Sequence, residues 1–591
     1  MTDADEEPPL ALAFEDSRRL PGPNRWFVTP AVVLTALTPA AGVDTALEAW
    51  AARVRALAAA LHWPDPQPHA HRLGSTAILA FAAPEDLLFT ATEVNEWAWE
   101  RSADEHAPLA AMGLHPVHPV GAPSAGLTEV FRARARSEHT APLARLRAAA
   151  RHRGVPVFED DDTVSLGAGS GSRCWPRAAL PLPMDVPWAA LHDVPTLLVT
   201  GSNGKTTTTR LLAAMARAAG ITAGSCSTEG VMVAGQTLHA GDYSGPAGAR
   251  AVLRHPAVQL AVLETARGGI LRRGLAVRRA HAALVTNVSA DHLGEYGVES
   301  VEDIAHAKLV VARAVAESGT LVLNGADEVL MAVAAATPHV QGLANAGAAV
   351  RLALFARDHG HPALAAHRAA GGSTCGAHGG RLVVHQDGQT LDLGHLAAMP
   401  LTVGGAAGYN VENIAAAVLM AHAASLPAAA VAHTLSRFGS SAADNPGRLE
   451  RWPHRGATVL IDYAHNPGGL AELLGVARAL HPRRLGLLLG QAGNRDDAAI
   501  GNLARTAAAF APDRVLIKEL PGMLRGRAPG DVSALIERAL REAGLAQERI
   551  ACHADEESAA LALLAWAQPG DVVVLPVHTA AVRQRLAAAI A

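Results

Sequence analysis

The stretch that most constrains the fold is "TLLVTGSNGKTTTTRLLAAMARAAG", residues 196–220. Apolar and β-branched residues come first, a glycine turn follows, and a lysine opens the next run. This order predicts a buried strand, a tight turn and a helix, an arrangement that binds the phosphates of a nucleotide. The open question is what those phosphates do: signalling, motion, phosphoryl transfer to a hydroxyl, or activation of a carboxylate.

Each residue type in the loop has a physical task. The glycines let backbone amides turn toward phosphate oxygens, Lys205 can reach the β and γ phosphates, and the Thr206 hydroxyl can ligate Mg²⁺. Val199 stands where the longer phosphate-loop pattern has a further glycine, so the shorter G-x-x-G-K-T form is present. We expect this loop to bind ATP and Mg²⁺ through Gly201, Ser202, Asn203, Gly204, Lys205, Thr206 and Thr207.

From residue 196 onward, strand-like runs alternate with helical stretches, as in "TLLVT", "LAVLET", "AALVTNV" and "GTLVLN". The alternation predicts a parallel sheet with crossover helices, whose site lies at the carboxyl ends of the strands. Mg²⁺ prefers oxygen ligands, so Thr206 and Glu264 are the expected pair for it. The other candidates on these strand ends and the next helix are Asn287, Asp291, His292 and Lys308.

The chain of 591 residues is too long for one core. Residues 1–180 predict an α+β domain, and the Gly-, Ser- and Pro-rich segment 163–187 predicts a linker. Its "GAGSGS" could bind phosphate, but no lysine follows it. An α/β nucleotide-binding domain is expected over 181–440, and a second alternating series after "SSAADNPGRLERW" predicts a smaller α/β domain over 441–591.

Charge and composition exclude several classes of protein. The 50 Lys+Arg against 55 Asp+Glu leave no basic footprint for nucleic acid. The acidic N-terminus lacks a signal-peptide pattern, and no apolar stretch is typical of a membrane span, so we expect a cytoplasmic protein. The cysteines are scattered without a C-x-x-C pair, which argues against disulfides and a thiolate zinc site: Cys174, Cys226, Cys375 and Cys552.

Eight motifs occur in the order found in the Mur ligase family, and the chain resembles that family over roughly residues 190–591. They are "TGSNGKTTT", "ETARGGI", "TNVSADHLGEYG", "HAK", "NGADE", "GYNVENIAAA", "NPGRLE" and "DYAHNPGGL". The blocks "ETARGGILRRGL", "DHLGEYGVESVEDIAHAK" and "IKELPGMLRGRAPGD" are similar to the Mur ligase-like module of cyanophycin synthetases. The resemblance implies a Mur ligase-like central domain with a phosphate loop and a Rossmann-like C-terminal domain.

The chain also departs from that synthetase pattern. "LPGPNRWF" resembles the start of the synthetases' N-terminal domain. Those enzymes carry an ATP-grasp domain between this part and the Mur ligase-like module, and here "TVSLGAGSGSRCWP" leads almost directly into the module. The resemblance therefore implies an N-terminal domain joined to a Mur ligase alone.

The family pattern implies a role for each matching residue. Lys205 and the loop amides would hold the triphosphate, Thr206 and Glu264 a first Mg²⁺, and His292 with a carbamylated Lys308 a second. Asn410 and Asn413 match positions near the adenine, and Tyr409 stands where the family usually has His. Arg448 matches an arginine that reaches the γ-phosphate, and Asp462 matches a ribose contact. The implied catalytic residues are Lys205, Glu264, His292, Lys308 and Arg448.

The resemblance implies an ADP-forming ligase that activates a carboxylate as an acyl phosphate and joins it to an amino acid. The acceptor would be an aspartate side chain in an acidic peptide, and the incoming amino acid arginine or lysine. Candidate substrate contacts, which solvated loop charges would equally explain, are Asn494, Arg495, Asp496, Arg525 and Arg527.

Three alternatives stay open at this point. The first is a ligase of the same fold with another acceptor, as in folylpolyglutamate synthesis. The second is a non-catalytic binding partner, which the intact set of site residues disfavours. The third is a kinase or GTPase with a phosphate loop, which would not need the "NPGRLE" and "DYAHNP" blocks. Self-association and action beside a full-length cyanophycin synthetase are further expectations.

Overall fold

The structure is a computed structural model that describes residues 14–39, 42–104, 125–291, 293–345 and 350–590. Three α/β or α+β units follow one another, joined by a small three-stranded sheet. Within the described ranges, no helix is both long and apolar enough to cross a membrane.

The first unit is a four-stranded antiparallel sheet in the order β1-β2-β4-β3. Trp50 and Trp99 bring two helices onto one face of this sheet, and the apolar residues of its other face form a second cluster. The prediction of an α+β domain is confirmed. Its elements are β1 (Phe14–Leu20), β2 (Ala31–Leu37), α1 (Val43–Ala60), β3 (His69–Leu73), β4 (Thr76–Ala82), α2 (Leu88–Asp104), α3 (Ala125–Glu138) and α4 (Ala141–His152).

The predicted linker over 163–187 is wrong for its first half. Strands β5 (Val157–Glu159), β6 (Thr163–Leu166) and β7 (Arg173–Pro176) form an antiparallel sheet. In the "GAGSGS" turn, the amides of Ala168 and Ser170 donate to the carbonyls of His192 and Val258, at 2.9 and 2.7 Å. These glycines therefore bring two backbones together, and the turn is no phosphate loop.

The central unit contains an 11-stranded sheet in the order β11-β10-β9-β12-β8-β13-β14-β15-β16-β17-β18. Its block from β9 to β16 is parallel, as predicted, and antiparallel strands extend both edges. The strands are β8 (Thr196–Thr200), β9 (Ala223–Ser227), β10 (Gly230–Val233), β11 (Gln236–Ala240), β12 (Leu260–Glu264), β13 (Ala280–Val285), β14 (Val315–Asn324), β15 (Arg351–Asp358), β16 (Ser373–His378), β17 (Arg381–Gln386) and β18 (Gln389–His395).

Helices cover both faces of this sheet, so apolar strand residues are buried on either side. One face packs against α5 (Lys205–Ala218), α12 (Gly408–Ala423) and α13 (Ala428–Leu435). The other faces the helices α6 (Pro246–Leu253), α7 (Arg267–Arg273), α8 (Val301–Leu309), α9 (Glu328–Ala336), α10 (Pro338–Asn345) and α11 (Pro362–Ala369).

The third unit is a six-stranded sheet in the order β19-β20-β24-β21-β22-β23, parallel except for β19. The second alternating series is thus confirmed as a smaller α/β fold. Its elements are β19 (Glu450–His454), β20 (Ala457–Asp462), α14 (Pro467–Ala479), β21 (Leu485–Leu489), α15 (Asp497–Ala509), β22 (Arg514–Lys518), α16 (Asp531–Glu542), β23 (Ile550–His553), α17 (Glu556–Trp566), β24 (Val572–Pro576) and α18 (Ala580–Ile590). The domain boundaries near 180 and 440 stay predictions.

Candidate functional site

The glycine turn between β8 and α5 has no room for side chains. Gly201 has φ 146° and Gly204 has φ 87°, a region that side-chain-bearing residues avoid. A Cβ on Gly201 would lie 1.7 Å from the Thr286 hydroxyl oxygen, and one on Gly204 would lie 2.1 Å from the Asn413 amide oxygen. The loop is therefore fixed in a tight conformation at the N-terminus of α5, where helix dipole and free amides favour an anion.

Lys205, the first residue of α5, folds back over this turn. Its ammonium donates to the carbonyls of Gly201 and Ser202, at 2.9 and 3.0 Å. The cation thus lies inside the curve of the loop that was predicted to hold a triphosphate. Ser202 and Asn203 anchor the loop to the end of β13 through hydrogen bonds with Asn287.

A buried carboxylate lies directly behind the loop. The Thr206 hydroxyl donates to Glu264 Oε2 at 2.9 Å, and Glu264, at the end of β12, is 1% exposed. Its other oxygen, Oε1, has no hydrogen-bond partner among the described residues. Burial raises the pKa of Glu264, while the charge of Lys205 and the Thr206 bond oppose that shift. A buried carboxylate oxygen without a partner beside a threonine hydroxyl fits a hard divalent cation.

Lys308 on α8 borders a cleft that Lys205 also lines, and its side chain is buried, with 4% of the residue exposed. Burial lowers the pKa of its ammonium well below the ordinary value, and the nearby charge of Lys205 adds to the effect. His292, its predicted metal partner, lies outside the described residues, so their pairing stays a prediction. The described ranges hold no group of three or more His, Cys, Asp or Glu side chains placed to bind a metal.

Arg448 reaches the loop from the third unit, as its predicted role requires. Its Nη2 lies 3.4 Å from the hydroxyl oxygens of both Thr206 and Thr228. The guanidinium lies over the ring of Tyr463, 4.6 Å from the centroid. An aromatic face attracts a cation and restricts its orientation, so Tyr463 holds Arg448 toward the loop.

Asp462 lies at the end of β20 and is bound by backbone groups. One carboxylate oxygen accepts from the Leu449 amide at 2.6 Å and the other from the Ala464 amide at 2.8 Å. Burial raises the pKa of Asp462, and the charge of Arg448 opposes this. The first contact fixes the residue next to Arg448, a positional role that the sequence did not indicate. The predicted ribose contact stays a prediction.

The two asparagines predicted to approach the adenine are buried on α12. Asn410 donates to the Leu401 carbonyl at 2.9 Å and accepts from Asn413 at 3.0 Å. Asn413 in turn abuts Gly204, so this pair lies directly against the phosphate loop. Tyr409 packs against the apolar core of the third unit. Both asparagines are in place to shape the loop, and their contact with a base stays a prediction.

The predicted substrate residues of the third unit separate into two groups. Arg495 forms an ion pair with Asp291 of the central unit at 2.9 Å, and Asn494 and Arg525 are exposed on the cleft. Asp496 caps the N-terminus of α15 by accepting from the Ala499 amide. Arg527 donates to the carbonyls of Gly493 and Arg495, at 2.9 and 2.7 Å. The structure therefore gives Asp496 and Arg527 loop-building contacts and leaves Asn494 and Arg525 facing the cleft.

Several side chains at the site escaped the sequence reasoning. Asn466 donates to Asn203 in the phosphate loop at 3.0 Å, and His465 lies 3.5 Å from Asp291. Burial and the charge of Lys518 keep the pKa of His578 well below its ordinary value, so this cleft residue is neutral at pH 7. Asn466 and His465 lie in the "DYAHNP" block, whose letters gave the only signal.

Part of this set borders one cleft of about 1770 Å³, among them Lys205, Lys308, Tyr463, His465, Arg495 and Arg525, whereas Glu264 and Arg448 do not line it. It runs from the phosphate loop and Lys308 to the first unit, where Arg19 and Glu15 form part of its wall, and to the third unit at Tyr463. The three units therefore enclose a common space. Its size exceeds that of an ordinary small-molecule pocket.

Comparison with known proteins gives two domain matches. Residues 199–421 match the Mur ligase middle domain, and residues 447–576 match the Mur ligase glutamate ligase domain. The first match contains the phosphate loop, Glu264 and Lys308, and the second contains Arg448 and Asp462.

Curated relatives are similar to the chain over its larger part. Cyanophycin synthetase of Synechocystis sp. is 35% identical over 403 residues, covering 68% of this chain and 44% of that protein. The UDP-N-acetylmuramoyl-L-alanyl-D-glutamate–2,6-diaminopimelate ligase of Chlorobaculum tepidum is 29% identical over 343 residues, 54% of this chain and 60% of that protein. The chain thus spans less than half the length of the cyanophycin synthetase that it matches.

Among solved structures, the bifunctional folylpolyglutamate synthase/dihydrofolate synthase of Yersinia pestis, complexed with AMPPNP and a Mn ion, is similar with a TM-score of 0.46. It is 19% identical, and the match covers 67% of this chain and 88% of that one.

Proposed function

The chain belongs to the Mur ligase family, and on that premise we propose that it is an ATP-dependent ligase that forms amide bonds, releasing ADP and phosphate. The observation that carries the proposal is the convergence of Lys205, Thr206, Glu264 and Arg448 on one turn. These residues come from two units of the fold. A fixed cradle of this kind suits phosphoryl transfer, in which the protein mainly positions groups and neutralises charge.

ATP and Mg²⁺ fit the residues that are present. The loop amides and Lys205 would hold the β and γ phosphates, and Arg448 would hold the γ-phosphate from the opposite side. Thr206 and the unpartnered oxygen of Glu264 would ligate Mg²⁺. When bound, Mg²⁺ neutralises part of the phosphate charge, which lowers the barrier to transfer. A cytoplasmic location, where ATP is abundant, belongs to the same proposal.

The phosphates would activate a carboxylate, which by itself repels a nucleophile and has a poor leaving group. The bond between the γ-phosphorus and the β,γ-bridging oxygen breaks, and a carboxylate oxygen bonds to that phosphorus to give an acyl phosphate. An amine then attacks the acyl carbon, loses a proton and displaces inorganic phosphate. Lys205 and Arg448 stabilise the negative charge throughout and hold the reacting groups in line.

Lys308 would supply a metal ligand if its side chain is carbamylated. The buried amine has a lowered pKa and is therefore available in its neutral form. Its neutral nitrogen would attack CO₂ and lose a proton, which converts the amine into an anionic oxygen ligand. Lys308→Ala should lose activity and regain part of it on addition of acetate, because a small carboxylate replaces the missing oxygens. No recovery with acetate would contradict the carbamate.

An acidic acceptor is supported by four arginines at the far end of the cleft, which we call the arginine arm: Arg19, Arg272, Arg273 and Arg279. Within the described ranges, none of the four forms an ion pair with a carboxylate, although Arg19 lies close enough to Arg273 for their charges to interact. The charges of Glu138 and Asp161 act on Arg19, and Arg279 acts on Asp193, but no carboxylate forms an ion pair with the four arginines in the described ranges. Guanidinium groups gathered without a paired carboxylate attract an anionic ligand. We propose an aspartate-containing peptide there, with its reacting side chain near Lys308.

The incoming amino acid would bind on the third unit, and we propose arginine or lysine. Asn494 and Arg525 face the cleft from that unit and can contact its α-carboxylate. Arg495, braced by Asp291 and by the backbone contact of Arg527, would orient the loop that carries Asn494. Self-association and cooperation with a full-length cyanophycin synthetase are further proposals.

One phosphate loop implies one kind of ligation. Growth of a peptide backbone and decoration of its side chains each need an activated carboxylate, and the "GAGSGS" turn offers no second nucleotide site. We therefore propose that the protein adds single amino acids to an existing acidic peptide. Backbone growth would require another enzyme, such as a full-length synthetase.

Mass spectrometry tests this proposal. The purified protein is incubated with ATP, arginine or lysine, aspartate and an aspartyl peptide. Mass increments of the basic amino acid alone, at most one per side-chain carboxylate, are expected. A ladder that alternates aspartate with a basic residue, or no ATP-dependent increment under any combination, would refute it.

A further inference from the structure

The first unit contacts the central unit at loop 293–300, which follows Asp291 and leads into α8. Gly297 in this loop has φ 73°, and a Cβ there would lie 2.8 Å from Ile78 Cγ1 and 2.9 Å from Leu73 Cδ1. Both residues belong to the apolar face of the first unit that is turned away from α1 and α2. The loop is therefore packed directly against the first unit.

Arg25 of the first unit binds both the loop and the helix that follows. Its Nη1 donates to the Gly297 carbonyl at 3.2 Å, and its Nη2 pairs with Asp303 at 2.5 Å. The Arg25 carbonyl accepts from Arg313, just beyond α8, at 3.2 Å. One residue thus holds the loop, the start of α8 and the segment after it.

Asp303 is also part of the cap of α8. Its second oxygen accepts from the amide and hydroxyl of Ser300, while its own amide donates to the Ser300 hydroxyl, which completes a capping box. Burial raises the pKa of Asp303, but the hydrogen bond and charge of Arg25 outweigh it and the net shift is downward. Arg25 therefore stabilises the ionised cap on which the direction of α8 depends.

A second arginine braces the opposite side of the loop. Arg18 is 3% exposed, donates to the carbonyl of Leu271 in the last turn of α7 at 3.0 Å, and lies 4.9 Å from the centroid of the Tyr296 ring. The next residue toward the site, Glu295, pairs with Arg267 at the start of α7 at 2.6 Å. Arg267 lines the cleft.

We propose that the first unit positions the catalytic side of the ligase, with Arg25 as a positioning residue for Lys308. Lys308 lies on α8, whose first turn is clamped by Arg25, and Arg18 holds the loop that supports the same helix. The first unit is thus a structural part of the site as well as one wall of the acceptor cleft. This inference rests on the proposed ligase activity.

The test compares Arg25→Ala, Arg25→Lys and Arg278→Ala in the full chain. Arg278 is the control because it joins the same two units through Glu85, at 2.7 Å, away from loop 293–300. It also lines the acceptor cleft, so the variants are compared through kcat at saturating peptide and through exchange, and the KM for peptide is left out of the comparison. Ligation is measured with a short aspartyl peptide, and amide hydrogen exchange is followed in residues 301–309.

For Arg25→Ala we expect kcat to fall about tenfold or more, because small displacements of a reacting group are costly. The KM for ATP should stay unchanged, since the phosphate loop is untouched. Exchange in residues 301–309 should rise by about fivefold as the cap loosens. Arg25→Lys should recover part of the lost kcat and part of the lost exchange protection. Arg278→Ala should change neither kcat nor the exchange of residues 301–309.

The outcomes separate this inference from the proposed function. An inactive wild-type protein refutes the ligase proposal, and the exchange of α8 then still decides whether Arg25 positions it. If the wild type is active, unchanged kcat and exchange in Arg25→Ala overturn the inference. Equal losses in Arg278→Ala would overturn it too, because general docking would then explain the effect.

Discussion

The central unit has two interfaces that differ in construction. Its contacts with the third unit include side-chain pairs such as Asn466 with Asn203 and Arg583 with Glu229, at 3.0 and 2.7 Å. At the interface with the first unit, backbones also meet: the Leu275 amide donates to the Pro23 carbonyl at 2.8 Å, and a Cβ on Gly22 would lie 1.9 Å from the Leu275 carbonyl oxygen.

This difference suggests a division of labour between the two interfaces. Polar side-chain contacts can break and re-form at low cost, which suits a domain that must admit ATP and release ADP. Close-packed backbone with buried arginine resists such motion, which suits a fixed acceptor side. Variants at the interface with the third unit should therefore alter phosphate chemistry, whereas variants at the interface with the first unit should alter acceptor binding, the position of α8 and stability.

The largest effect is expected for Lys205→Ala at the phosphate loop. Removal of the cation should lower ligation by roughly 10³-fold, because a charge aimed at the transferring phosphoryl group is lost from a preorganised site. Thermal unfolding should be nearly unchanged, since within the described residues the ammonium donates hydrogen bonds only to its own loop. A folded variant that keeps wild-type turnover would show that the phosphates bind elsewhere.

The next largest effect concerns Arg448 and the ring beneath it. Arg448→Ala should lower kcat by about 10²-fold, as expected for a lost charge contact in the transition state. Tyr463→Phe keeps the aromatic face, so its kcat should stay within about twofold of the wild-type value. Tyr463→Leu should lower kcat by about tenfold, because the guanidinium of Arg448 is no longer held over a ring. Steady-state kinetics at saturating ATP separate these cases. Equal rates for the Phe and Leu variants would exclude stacking as the positioning force.

The arginine arm should affect binding of the acceptor more than catalysis. Arg273→Glu is expected to raise the KM for a long aspartyl peptide by about tenfold at low ionic strength. The increase should become smaller as salt is added, because salt screens the charges. Arg541→Glu makes the same charge change at an exposed position of α16 and is the control. A similar KM increase in both variants would mean that net charge, and no local site, attracts the peptide.

Gly22→Ala probes the close backbone contact between the first unit and the central unit. The new methyl group meets the Leu275 carbonyl, so the free energy of unfolding should fall by about 1–3 kcal/mol. Gly126→Ala is the matched control, because a Cβ there meets no atom within 4 Å and the position is helical. Denaturant titration measures the free energy of unfolding of both variants. Equal stability of the two variants would contradict close packing between these units.

The sequence predicted those parts of the site that depend on local order. Glycines at 201 and 204, Lys205 and the strand-end Glu264 follow from a pattern that a parallel sheet enforces, so strand, turn and helix could be predicted together. The linker prediction failed because a glycine-rich cluster does not distinguish a turn between two strands of a sheet from a linker between domains. The bonds of Ala168 and Ser170 to distant carbonyls leave no mark in the local sequence.

Contacts between units could not be predicted in the same way. Arg18 lies outside the quoted motifs, and the blocks "LPGPNRWF" and "DYAHNPGGL", which contain Arg25 and Tyr463, give no sign of the residues that these two contact. Their partners lie far away in the chain, as for Arg25 with Asp303, 278 positions apart. Asp496 and Arg527 show the opposite error. They were predicted as substrate contacts, but Asp496 caps a helix and Arg527 donates to backbone carbonyls.

The central claim is that the phosphate loop serves to activate a carboxylate, and transfer of ¹⁸O tests it most directly. An aspartyl peptide labelled with ¹⁸O in its side-chain carboxylates is incubated with the protein, ATP and arginine or lysine, and the released phosphate is analysed by mass spectrometry. An acyl phosphate passes one labelled oxygen to phosphate for each amide formed, so a one-to-one ratio is expected. Amide formation with unlabelled phosphate would contradict the account.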